Sequence, residues 1–389
     1  MSFLLAILWV IFAALLCWQL LRWLPAGADK YNPLPYIIAL LPIATYVVGA
    51  LLFFSILATE WQVLYASKNP QSYNFAKSYA YLCIAYAVLF LISLKSYAPY
   101  WFGRFKSARK QTPEKIRVMT LNCRYGKASA AQIIETAKKY AVNTLLLQEL
   151  SESLVKNLEK LGIYEIFPTS CVGAQSEHNN GGFNAIFTKY SAISTCNNSV
   201  KIEAASVPSI TTRLDFDKLD LDAPANVFVK FASAHPKSPM RGCKAWSEGI
   251  RALANLIETA ETHATAETYE CAETYESAEN PKSSNLATLT ILTGDLNSTI
   301  DHPSFRTLIK AGFTDCAISL CKRLRTWPTW LKWPNLTLDH VLFCAKNLRA
   351  KAVWHKNVTI DGTDHLAYIA EIALYPIHSP MHSPIHSID

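Results

Sequence analysis

The chain has 389 residues, 51% of them hydrophobic and only 17% charged, with 37 basic and 30 acidic side chains. That charged share lies below the roughly 25% of an average soluble protein. The shortfall sits at one end: residues 1–100 hold only Arg22, Lys30, Lys68, Lys77, Lys95, Asp29 and Glu60. Disorder, collagen and small disulfide scaffolds are excluded, and the length suits a membrane part followed by a soluble domain with a full core.

Residues 3–21, 36–58 and 78–94 are free of charge over 19, 23 and 17 positions. About 20 apolar residues cross the hydrocarbon core, so these runs predict three transmembrane helices, the third at the short end. Trp23, Tyr36, Trp61, Tyr65, Tyr97, Tyr100 and Trp101 crowd their ends, where amphipathic rings favour the headgroup layer. A signal peptide would need a basic start, which MSFLLAILWV lacks. Buried core helices would show a polar face, and these runs have none. Three spans put the termini on opposite sides. The basic stretch Arg104, Lys106, Arg109, Lys110, Lys115 and Arg117 places the C-terminal part in the cytoplasm by charge bias. Long domains cross regardless of charge, and such a stretch also suits anionic headgroups, so the side stays open. Ten cysteines without a CxxC or metal-type spacing read as reduced, partly buried thiols.

Beyond a basic linker (residues 101–114), strand-like runs alternate with helical ones. IRVMTLN from Ile116 and TLLLQE from Thr144 read as strands, each followed by an amphipathic helix, from Ser129 and from Ser151. NAIFTKY, SITTRLDF and ANVFVKFASAH are further strands. A helix over residues 244–257 comes next, then strands LATLTILTGD, LTLDHVLF and LAYIAEIAL. This order predicts an α/β sandwich of two packed sheets with helices outside, over residues 115–376. Two segments are low-complexity. Residues 258–285 carry a slipped AETYEC–AETYES repeat with seven glutamates, an exposed insertion. Residues 377–389 (IHSP–MHSP–IHSID) are a His-Ser-Pro tail whose prolines prevent a helix that would align its histidines.

The strand ends carry the chemistry. Asn122 closes the first strand, Glu149 the second and His235 a third; Asp295 and Asn297 follow in TGDLN, Asp339 lies in LTLDHVL, and Asp364-His365 in DGTDHLAY. A lone Asn or Asp at such a place is a turn or cap residue. Six such endings, mixing hard oxygen ligands with two histidines, read as one site gathered at an edge of two sheets.

This ordered set resembles the endonuclease/exonuclease/phosphatase superfamily, the relatives of DNase I, abasic-site endonucleases, sphingomyelinases and inositol-phosphate 5-phosphatases. The pattern N, QE, H, GDxN, D in an xDHxx strand and SDH is present in order, with Thr363 in place of Ser. The resemblance implies a DNase I-like, four-layered sandwich of two mixed sheets. It implies a hydrolase of phosphoric ester bonds in which Asn122, Glu149 and Asp364 hold Mg2+, or Mn2+, by the few oxygen ligands such an ion accepts. In the same pattern His365 handles a proton, Asp339 orients it, Asp295 and Asn297 position the attacking water and a non-bridging oxygen, and His235 hydrogen-bonds the phosphate. His340 is read as structural, and the Asn297-Ser-Thr sequon as a false positive if Asn297 lies in the site.

For the substrate, near charge balance and the acidic insertion argue against a nucleic-acid duplex, which a basic stripe would grip. Lys322, Arg323 and Arg325 point the other way. Trp327, Trp330 and Trp333, spaced by three, are packing residues or an apolar wall for a substrate or the bilayer. Three spans before this domain also resemble the teicoplanin-resistance type of membrane protein, which acts outside the cell on polyprenyl-pyrophosphate carriers. The expectation is a membrane-anchored phosphoesterase acting on a lipid-linked phosphate ester or pyrophosphate. A membrane-anchored nuclease comes second, and a non-catalytic scaffold third.

Overall fold

A computed structural model describes residues 2–101, 114–174, 181–215, 226–257 and 286–375. Most of the basic linker, the acidic repeat and the His-Ser-Pro tail lie outside the described residues. Three N-terminal segments are long and apolar enough to cross a membrane, Phe3–Trp23, Leu41–Lys68 and Pro70–Ser96, and give the chain a multi-pass topology.

The helices behind these spans are α1 (Ser2–Leu20), α2 (Leu34–Ala39), α3 (Leu41–Lys68) and α4 (Tyr73–Ser93). The second span differs from its expected bounds of 36–58. Proline lacks an N–H and clashes with the carbonyl four residues back, so a helix restarts around it. With Pro42 in its first turn, α3 is therefore separate from the short α2. The third span begins earlier than expected, at Pro70, and takes in Lys77, whose ammonium lies 4.6 Å from the centre of the Tyr73 ring. Leu15, Val48, Leu82, Tyr86 and Leu89 form the bundle's buried core. Tyr86 donates to the Leu8 carbonyl at 3.0 Å and Thr45 to the Ser93 carbonyl at 3.0 Å, tying the three helices together.

The first sheet of the soluble part contains β1 (Glu114–Asn122), β2 (Thr144–Leu150), β3 (Thr169–Val172), β4 (Phe183–Thr188), β11 (Arg349–Thr359) and β12 (Leu366–Tyr375), in the order β11-β12-β1-β2-β4-β3. The second holds β5 (Ser194–Cys196), β6 (Ser209–Asp215), β7 (Asn226–Ser233), β8 (Ala287–Asp295), β9 (Thr314–Asp315) and β10 (Asp339–Lys346), ordered β5-β6-β7-β8-β10-β9. Both sheets are mixed. Alternation sends side chains to opposite faces. Val118, Leu146, Ile186, Phe231, Leu289, Ile291 and Val341 thus meet between the sheets. Met119, Leu145, Leu147 and Phe187 face outward, where α5 (Ala130–Lys139), α6 (Glu152–Lys160) and α7 (Ile163–Ile166) cover them. The second sheet is covered by α8 (Pro239–Ala252) and α9 (Phe305–Ala311) through Trp246, Ile250, Phe305 and Leu308. A short α10 (Cys316–Ser319) completes the set. The result is the expected four-layered α/β sandwich. Ser129 and Ser151 cap α5 and α6, each side chain accepting a first-turn N–H.

The membrane part docks on the sandwich through buried polar groups. Asp29 accepts from Ser304 N at 2.9 Å, Ser304 Oγ at 2.5 Å and Ser247 Oγ at 3.3 Å. Arg22 donates to Ser96, which donates to Asp301 at 3.0 Å. Arg306 reaches the Leu24 carbonyl and His302 Nε2 the Pro35 carbonyl, both at 2.9 Å. A charged group buried without such partners costs several kcal/mol. Each of these pairs therefore stabilises one mutual orientation, gripping the segment that follows β8.

Candidate active site

Strand direction explains why the polar endings meet. β1 and β2 run parallel, so Asn122 and Glu149 emerge at one edge. β12 runs antiparallel to β1, which brings Asp364 and His365, just before its first residue, to the same edge. In the facing sheet β7 and β8 are parallel, delivering His235 and Asp295 there. β10 opens at this edge, with Asp339 opposite Asp295 in register.

At the centre, Asn122 Nδ2 donates to Asp295 Oδ2 at 3.0 Å and to Glu149 Oε1 at 3.1 Å, bridging the two sheets. Asp295 Oδ1 accepts from Asn297 N at 2.9 Å. Asn297 Nδ2 lies 3.3 Å from His235 Nε2, and that ring nitrogen is 3.5 Å from Asp295 and 3.6 Å from Glu149. His365 Nδ1 is 2.8 Å from Asp339 Oδ2, which leaves Nε2 facing Asp295 Oδ2 at 3.6 Å. The structure thus brings together seven of the eight expected residues through direct contacts. Asp364, the eighth, instead aims its carboxylate at Arg124 Nε, 3.6 Å away, and Trp327 Nε1, 3.3 Å away.

Electrostatics follow from burial and neighbours. Burial opposes a charge on His365, yet the carboxylates of Asp339 and Asp295 outweigh it and raise its pKa to about 10. Burial acts upward on Asp295 as well, but His365 and His235 hold it well below the usual carboxylate range. His340 shows how a structural histidine differs. Its ring nitrogens are taken by Asp315 Oδ2 at 2.7 Å and the Ser298 carbonyl at 2.9 Å, beneath the site.

Local backbone serves the same end. Glu149 has φ +52°, at a bulge where the β2–β4 register slips between Leu147 and Leu150. A bulge re-aims a side chain, and here it turns Glu149 toward Asn122. Gly294 has φ +143°, and a Cβ there would stand 1.9 Å from the Ala234 carbonyl oxygen. Only glycine lets β8 approach β7 this closely just before Asp295.

Sequence reasoning missed several supports. Thr326 Oγ1 accepts from Asp339 N at 3.1 Å, Thr363 Oγ1 donates to the Asn122 carbonyl at 2.7 Å, and Gln148 bridges Thr120 and Ser233 across the sheets. Gln148 stood in the QE pair as a visible signal. Thr326 and Arg124 carried none, because their contacts are set by tertiary approach.

The donor set fits a hard divalent cation. Asp295, Asp339 and His365 present ligand atoms within 4.8 Å of one another, and Glu149 and Asn122 adjoin them. Carboxylate and amide oxygens are the ligands such ions take. Asp339 Oδ1 is buried with no hydrogen-bond partner among the described residues, a negative oxygen that a nearby cation would compensate.

Two helix-covered sheets with an acid–histidine cluster at one edge define a metal-binding phosphoesterase fold. The chain belongs to the Endonuclease/Exonuclease/phosphatase family, whose pattern matches residues 119–365. Among curated protein sequences none matches it. Similar solved structures include D. rerio TDP2 complexed with a single-strand DNA product, at 13% identity and TM-score 0.44, covering 67% of this chain and 99% of that one. An endonuclease/exonuclease/phosphatase from Beutenbergia cavernae is 14% identical with TM-score 0.42, covering 67% and 72%. Beta toxin from Staphylococcus aureus is 13% identical with TM-score 0.37, covering 67% and 100%.

Proposed function

We propose that the protein is a membrane-anchored, metal-dependent phosphoesterase that hydrolyses a phosphate ester or pyrophosphate carried by a lipid. The observation that carries this reading is the loop over residues 323–336. At one place Trp327 hydrogen-bonds Asp364 in the site, and six residues on Trp333 packs edge-on against Tyr46 of span α3, ring centres 5.5 Å apart. The hydrolytic edge therefore opens beside the bilayer, where a lipid-borne phosphate is confined. The architectural resemblance to teicoplanin-resistance membrane proteins supports the same substrate class.

In this reading Glu149 and Asn122 hold the cation, Mg2+ by preference, and Asp364 offers Oδ1 in exchange for its contact with Arg124 while Oδ2 keeps Trp327. The Asp295–Asp339–His365 cluster borders that position. When bound, the cation supplies Lewis-acid polarisation of the phosphoryl group and offsets charge on the leaving oxygen. Asp295, kept ionised, orients the attacking water together with Asn297. His235 and Asn297 donate to a non-bridging oxygen. His365, held in one orientation by Asp339, delivers its Nε2 proton to the leaving oxygen.

The nuclease reading is weaker because Arg323 and Arg325 line one pocket with Tyr97, Tyr46 and Trp333, and two cations in a pocket are not the basic stripe a duplex needs. The test is a paired assay of full-length protein in liposomes with Mg2+. Phosphate release from a polyprenyl pyrophosphate is expected, abolished by EDTA, with little nicking of supercoiled plasmid. Plasmid nicking without phosphate release would reverse the assignment.

A further inference from the structure

A cavity of ≈ 290 Å³ lies where the membrane helices meet the sandwich, lined by Ile43, Tyr46, Tyr97, Arg323, Arg325 and Trp333 among others. Neither arginine belongs to the hydrolytic site. Arg323 donates to the Asn335 carbonyl at 3.1 Å and lies over the Tyr97 ring at 5.6 Å; Arg325 donates to the Leu331 carbonyl at 2.8 Å. Each guanidinium has five N–H donors in a planar fork. Among the described residues neither has a carboxylate within ion-pair distance, so both keep donors for an outside anion.

The rings place this cavity at a definite depth. Tyr46 stands in the second turn of α3, about 8 Å along the span at 1.5 Å per residue. It meets Trp333 at 5.5 Å and Tyr97 at 6.2 Å, and Tyr97 stacks on Trp101 at 6.3 Å. Tyr and Trp clustered at a span end mark the headgroup layer. Trp330 and Trp333 are 64% and 57% exposed beside them, apolar surface directed where lipid would cover it. The cavity thus pairs forked cations with an apolar, membrane-level wall, which is the chemistry of an anionic headgroup above its acyl region.

We propose that this cavity binds the phosphate headgroup of an anionic bilayer lipid, and that the bound lipid steadies the 323–336 loop that reaches the hydrolytic site. Arg325 is followed by Thr326 and Trp327. Thr326 accepts from Asp339 N and Trp327 donates to Asp364, so the segment holding the lipid also braces the Asp339 backbone and the Asp364 carboxylate. The proposal goes beyond the hydrolytic reading, since it needs only the loop at the bilayer and holds for any phosphoester substrate.

The test uses full-length protein in nanodiscs of phosphatidylcholine with or without phosphatidylglycerol, with retained lipid read by native mass spectrometry. Phosphatidylglycerol is expected to be retained in preference, and about tenfold less by Arg323→Gln/Arg325→Gln, the loss expected for charge-assisted hydrogen bonds. Turnover of soluble bis-p-nitrophenyl phosphate should rise with phosphatidylglycerol in the parent. In the variant it should stay at the phosphatidylcholine level. Equal retention by parent and variant, or no preference in the parent, would overturn the site. Retention without a change in turnover would overturn its coupling to Trp327. If the variant does not fold, inorganic phosphate added to the parent decides. Phosphate that leaves phosphatidylglycerol bound supports the lipid, and phosphate that displaces it and activates equally makes the ligand a free anion.

Discussion

At the scale of single residues the site divides its labour between a proton-carrying half and an oxygen-rich half. In the proposed mechanism His365→Ala removes a positioned acid, so kcat is expected to fall roughly 10²–10⁴-fold while metal affinity, read by isothermal titration, stays near the parent. Glu149→Gln should do the reverse and raise the metal concentration needed for half-maximal rate. A His365→Ala protein as active as the parent would end the assignment. Gly181 gives a subtler probe: a Cβ there would stand 2.6 Å from the Glu149 carboxylate. Gly181→Ala should therefore raise the metal requirement as Glu149→Gln does, with kcat at saturating metal near the parent. The acids, amides and histidines of the site were legible in sequence because each interrupts an apolar strand at its end. Arg124 and Thr326 were not, since a surface-type arginine and a loop threonine take on meaning only when a distant strand arrives beside them.

At the scale of elements, the strands with both faces buried were readable as apolar runs, and parallel or antiparallel pairing did the rest. The strands that escaped were short or lay at edges. Among the described residues β11 (RAKAVWHKNVT) pairs only with β12; it bulges between Ala352 and Trp354 and carries basic residues that suit an exposed edge. β12 carries the testable electrostatic feature. Burial pushes the Glu371 carboxylate up, but Arg117 and Lys115 on β1 outweigh it and hold its pKa below the ordinary value. A depressed folded pKa contributes stability above the unfolded value, near 4.3, and loses it as pH falls through the folded one. Glu371→Gln should lower the thermal midpoint at pH 7 by the equivalent of about 1–3 kcal/mol. The gap to the parent should close below about pH 4. A gap that persists unchanged in acid would mean that packing, not charge, is responsible.

At the scale of the whole molecule, the sequence suggested a catalytic domain on a basic tether. The structure adds a docked interface that no local pattern announces, because Asp29, Arg22 and Ser96 read as ordinary residues at span ends. Asp29 is fully buried and satisfies Ser304 and Ser247. Removing a buried charged acceptor strands its donors. Asp29→Ala should therefore loosen the segment from Asn297 to Ser304, speeding its amide hydrogen exchange and lowering kcat in full-length protein. Unchanged exchange there would show that the junction does not brace the site.

Docking also confines the hydrolytic edge to one bilayer, where a lipid-borne phosphate reaches a high effective concentration. The most direct test places polyprenyl pyrophosphate either in the liposomes that hold the full-length protein or in separate protein-free liposomes, and compares Mg2+-dependent phosphate release. Rapid release from the shared bilayer and little from the separate one is expected. Equal rates from both, or no lipid hydrolysis while plasmid is nicked, would contradict it.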